Sequence, residues 1–208
     1  ALRAARDVPE TGITDDAEIA LMGYSGGAIA TNWASILAPA YAPEINDNLI
    51  GAAQGGVLVN PANNLRYASG SIGWGGVVGM AVVGVARSYD IDFGKYLSDR
   101  GRDVMARLED ASIGNVLAQY PGLTWQDLVK PEYADPNTVP EYVDVVNKIN
   151  MGTAATPTIP MFIAQAANGT IEGTQPGGPG VGAGDGVMIT GDVRTLARKY
   201  CDAGLAIQ

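Results

Sequence analysis

The chain has 208 residues, a formal net charge of −9, one cysteine and no histidine. Its 47% apolar content excludes global disorder, its acidity excludes a broad basic surface for nucleic acid, and one cysteine excludes an internal disulfide framework. Without histidine, no His-dependent metal centre, His general base or Ser-His-Asp triad is completed within these residues, and neither a cofactor nor a metal is expected.

Residues 1–6 read as the last turn of a helix, with basic residues suiting a C-terminus and Pro9 and Gly12 punctuating the exit. They lack the apolar stretch and cleavage site of a signal peptide, so the chain is expected to begin mid-fold. Residues 17–22 form a short apolar run consistent with a buried strand. The Ala-rich residues 26–37 place Ile29, Trp33, Ile36 and Leu37 near helical spacing, with Pro39 and Pro43 expected to stop the helix. Residues 49–59 are a second candidate strand, leading into Asn60-Pro61.

Residues 67–86 carry no charge, but their glycines and serines thin the hydrophobicity. A small-residue helix or helix pair, packed closely on its neighbours, is expected there rather than a membrane span. Residues 93–150 are polar and helix-prone: 97–108 alternate in charge, Thr124-Trp125-Gln126-Asp127 resembles a capping box, and 139–149 are amphipathic. Residues 161–165 are a third candidate strand, and 168–186 are a loop crowded with Gly and Pro. Residues 192–200 suit a helix with an acidic start and a basic end, and 204–208 the start of another strand.

Gly23-Tyr24-Ser25-Gly26-Gly27 fits G-x-S-x-G, between an apolar strand and an Ala-rich helix. A serine nucleophile needs this setting, because a strained turn lifts its hydroxyl above the sheet. Glycines two before and two after would remove clashing side chains, and the helix N-terminus would offer the Gly26 N–H to a developing oxyanion. The alternative is a glycine-rich turn whose serine merely caps the helix.

The stretch 17–43, with Gly-Tyr-Ser-Gly-Gly-Ala-Ile-Ala-Thr-Asn-Trp-Ala, resembles the secretory lipase family of lipase A-like α/β-hydrolases, in a bacterial, actinobacterial form. Further matches are Gly55-Gly56 with Val57, Asn60 and Pro61, and Gly184-Asp185-Gly186-Val187-Met188-Ile189 with the segment 192–201. The resemblance implies an α/β-hydrolase fold with an inserted helical cap, incomplete in this chain. Residues 1–60 and 151–208 would form the core, and 61–150 the cap. It implies a secreted hydrolase of carboxylic esters and acylglycerols that touches a lipid interface.

Within that resemblance Ser25 is the nucleophile and Asp185 best matches the acid that orients a histidine. Asp192 and Glu172 are the competing acids, Asp192 being the more natural helix cap. The histidine and the second oxyanion N–H are expected outside residues 1–208, on further segments of the same protein or on a second chain. This chain alone is therefore expected to be inactive. The rival readings are a non-catalytic hydrolase-like module that binds a lipid or protein, and an acyltransferase. Tyr24 is read either as an acyl contact or as packing beside the turn. Cys201 is read either as pairing outside the chain or as a buried thiol.

Overall fold

A computed structural model describes residues 2–169 and 182–208. In chain order the elements are α1 (Leu2–Arg6), β1 (Ile19–Tyr24), α2 (Gly26–Tyr41), α3 (Pro43–Asn46), β2 (Leu49–Gly55), α4 (Pro61–Ala68) and α5 (Gly75–Tyr89). They continue with α6 (Asp99–Leu108), α7 (Trp125–Leu128), α8 (Pro140–Lys148), β3 (Met161–Ala164) and α9 (Thr190–Asp202). Two compact units result: Ala1–Val59, Met151–Gln165 and Asp192–Gln208 form the first, Asn60–Asn150 and Ala166–Gly191 the second.

The first unit is built on a parallel sheet in the order β1-β2-β3. Ile19 and Leu21 turn one face of β1 toward a core of Ala28, Ala52, Val57, Met161, Leu196 and Tyr200. Met22, Tyr24 and Phe162, of opposite strand parity, are 86%, 75% and 49% exposed. Gly56, at φ 61°, ends β2 earlier than the apolar run suggests. The segment 204–208, expected to start another strand, forms a single parallel bridge beside β3: Met161 N–H donates to the Ala206 carbonyl and Ile163 N–H to that of Gln208, both at 2.9 Å.

Pro39 does not stop α2, which runs on to Tyr41 and closes with the Ala42 N–H on the Ala38 carbonyl at 2.9 Å. Proline removes a single intrahelical donor, and here it does so in the last turn, where little helix follows. Pro43 then begins α3 at a position that needs no N–H.

In the second unit the uncharged stretch 67–86 supplies the end of α4, a turn and most of the single small-residue helix α5. Asn60 caps α4 by accepting the Ala62 and Asn63 amides at 3.1 and 3.4 Å. A Cβ on Gly76 would lie 2.7 Å from Val116 Cγ1, and one on Gly79 2.6 Å from Leu108 Cδ1, so the small residues of α5 permit close packing. The capping box at Thr124 and Asp127 forms and starts α7. Phe93 meets Tyr96 and Trp125 edge-on, with centroids 5.7 and 6.4 Å apart, and anchors this unit's core. Among the described residues no helix is long and apolar enough to cross a membrane.

Candidate active site

β1 delivers the chain to Ser25 and α2 begins one residue later. Ser25 has φ 54° and ψ −116°, a backbone conformation that a residue with a Cβ adopts only at a cost. An N-cap serine normally has extended backbone and accepts an amide from the first turn. Ser25 has neither property: its backbone is not extended, and its side chain makes no cap hydrogen bond. Its own N–H donates to the Gly55 carbonyl at 2.9 Å, tying the turn to the end of β2, and its carbonyl accepts from Ile29 at 3.1 Å. Gly26 opens α2, where the first N–H groups have no intrahelical acceptor and point out of the helix end.

The two outer glycines of the motif are not equivalent. A Cβ on Gly23 would sit 2.1 Å from the Gly27 carbonyl oxygen and 2.6 Å from Thr31 Oγ1, so α2 can approach β1 only because Gly23 has no side chain. A Cβ on Gly27 would meet nothing within 4 Å. This corrects the expectation that both are needed for steric reasons: the clash is between residue 23 and the backbone of residue 27. Tyr24 packs its ring over Gly55 and Gly56 while remaining largely exposed.

Beneath this turn lies a buried polar cluster that the sequence reading does not single out. Gln54, 3% exposed, donates through Nε2 to Asn32 Oδ1 at 2.8 Å. Asn32, fully buried, donates through Nδ2 to the Tyr200 hydroxyl at 3.0 Å and faces Met151 Sδ at 3.2 Å. Burial raises the Tyr200 pKa, against the smaller opposing effect of the Asn32 hydrogen bond, so this hydroxyl stays neutral. Gln54 Oε1 is buried with no hydrogen-bond partner among the described residues. The available signal was a single glutamine inside the apolar run 49–59, facing Gly23 in the strand register.

Asp185 belongs to the second unit. Its Oδ1 accepts the Val187 and Met188 amides at 2.9 and 2.7 Å, and its N–H donates to the Met188 carbonyl at 3.1 Å. Gly184 pairs with Ile189, so the end of the expected irregular loop closes as a tight hairpin, buttressed by the Tyr67 hydroxyl accepting from the Gly186 N–H at 3.1 Å. Asp192 lies in the first turn of α9, which starts at Thr190, so it supports the helix dipole from inside rather than capping the helix. Glu172 lies outside the described residues. Cys201 is exposed, not a buried thiol. Among the described residues no group of three or more Cys, Asp or Glu is arranged to hold a metal ion.

Comparison with known proteins places this architecture. Residues 1–176 match the family model described as Secretory lipase. Lipase 6 of Candida albicans is 46% identical over 87 residues, which is 42% of this chain and 18% of that protein. Lipase 1 of the same organism is 29% identical over 205 residues, 94% of this chain and 40% of that protein. The crystal structure of Candida antarctica lipase A in its closed state superposes with a TM-score of 0.78 at 23% identity, covering 100% of this chain and 45% of that one. This chain thus spans less than half the length of each of these proteins. The fold is that of the lipase A α/β-hydrolases. A match over most of its residues makes the chain a member of the secretory lipase family.

Proposed function

We propose that the protein hydrolyses carboxylic esters, acylglycerols among them, with Ser25 as nucleophile. The observation that carries this reading is the positive φ of Ser25 at a strand-to-helix turn, with no cap bond to account for it. Ser25 Oγ attacks the ester carbonyl carbon while a histidine takes its proton, and the Gly26 N–H stabilises the oxyanion. Collapse expels the alcohol, which recovers that proton, and leaves an acyl-enzyme. Water, deprotonated by the same histidine, then releases the carboxylic acid and frees Ser25. Asp185 holds the histidine in orientation, its own carboxylate fixed by the Val187 and Met188 amides.

These residues contain no histidine, so the imidazole comes from another segment of the same protein or a second chain. Residues 61–150 serve as the cap, and membership of a secretory family supports work outside the cell at a lipid interface. The test is fluorophosphonate labelling of the protein expressed at its full natural length, with the adduct located by mass spectrometry. Labelling at Ser25, lost in Ser25→Ala together with 4-nitrophenyl ester hydrolysis, is expected. A protein that stays unlabelled and inactive is instead a hydrolase-like binding module.

A further inference from the structure

Ser25 keeps an unfavourable backbone conformation only if its surroundings over-determine it. Two restraints are backbone features: the Ser25 N–H on the Gly55 carbonyl, and the contact of α2 with the side-chain-free Gly23. Neither stops α2 from rotating or sliding about that contact. A directional link further along the helix would, and Gln54 supplies one. It is the strand neighbour of Gly55, and its amide reaches Asn32, seven residues or about two turns beyond Ser25. Asn32 in turn is held by the Tyr200 hydroxyl from α9.

An apolar side chain at position 54 would fill the space equally well, but dispersion and burial are non-directional whereas a hydrogen bond fixes angle and register. The core nevertheless keeps a glutamine there, with Oε1 left without a partner among the described residues. That unfavourable burial is unexplained by packing alone.

We infer that Gln54 is a positioning residue for Ser25: through Asn32 it locks the end of β2 to α2 and holds the serine turn in its attacking geometry. The inference rests on Ser25 being the nucleophile. The experiment measures fluorophosphonate labelling kinetics and thermal midpoints on the full-length protein. Its variants are Gln54→Met, the all-apolar triple variant Gln54→Met/Asn32→Leu/Tyr200→Phe, and Leu196→Ala as a packing control.

The triple variant leaves no buried polar group of the cluster unpaired, so its midpoint should equal or exceed that of the parent. Its maximal labelling rate should still fall about tenfold, the scale of a sub-ångström misplacement. Gln54→Met should show the same loss with little change in half-saturating probe concentration, and Leu196→Ala should melt earlier yet label at the parental rate. Labelling of the triple variant at the parental rate overturns the inference. If the triple variant does not fold, parental labelling by Gln54→Met does so instead, as does equal slowing by Leu196→Ala. A parent unlabelled at Ser25 overturns the nucleophile reading itself, a result distinct from all of these.

Discussion

A Cβ on Gly23 would stand 2.1 Å from the carbonyl oxygen of Gly27, closer than non-bonded atoms approach. Gly23→Ala must therefore push α2 off β1, and destabilisation of about 3 kcal/mol is expected in a denaturant titration. Gly27→Ala meets open space and adds a better helix former, so its midpoint should move slightly upward, by no more than about 1 kcal/mol in stability.

The φ of 54° at Ser25 predicts an inverse relation between stability and activity. Glycine adopts that conformation without Cβ strain, so Ser25→Gly should gain about 1 kcal/mol after the entropy cost of the glycine is subtracted. The same variant should lose all ester hydrolysis and probe labelling. Calorimetry beside a labelling gel reads both outcomes.

Asp185 offers a way to separate charge from architecture. Asparagine can still accept the two loop amides through its side-chain oxygen, so Asp185→Asn should keep the hairpin and the melting temperature. It should nevertheless cut turnover by about 10³-fold or more, because an amide neither orients nor balances an imidazolium as a carboxylate does. Asp185→Ala should lose stability as well. Asp192→Asn and Glu172→Gln should keep turnover within a few fold; steady-state kinetics on the four variants ranks the acids.

In the second unit Glu141 accepts from Lys95 Nζ at 2.5 Å and from the Tyr96 hydroxyl. The hydrogen bond from Lys95, then that from Tyr96, lowers its pKa from 4.5 to about 2. A folded-state pKa below the unfolded one means a contribution that is present above pH 4.5 and lost as pH falls toward 2. Glu141→Gln should flatten that part of the acid limb in a melting-temperature profile. The pair is half exposed on the lysine side, so added salt should shrink the difference between parent and variant.

The strand–serine–helix segment was legible because three independent signals coincide there: an apolar run, a glycine-bounded serine and an Ala-rich periodic stretch. The capping box at Thr124 and the amphipathic α8 were legible for a similar reason, since each has a local chemical signature. The Pro39 stop failed because a proline in a last turn removes too little to end a helix. Gln54 and Asn32 stayed hidden because their partnership joins residues from separate elements, with Tyr200 a further 168 positions from Asn32. Asp185 could be matched by motif, but the tight hairpin that fixes its carboxylate depends on Tyr67, far away in sequence.

β2 and β3 are neighbours in the sheet, yet about 100 residues intervene between them. Closing so long a loop costs only modestly more than closing a short one, since the entropy grows with the logarithm of length. Its effect falls on timing. While the chain emerges from the ribosome, β1, α2 and β2 must wait with the β3 side of β2 unpaired until the whole intervening stretch has been synthesised. High separation between paired strands also slows folding in free solution. Chaperone demand during synthesis should therefore depend on this excursion, and shortening it should speed assembly of the sheet without touching a single residue of the serine turn.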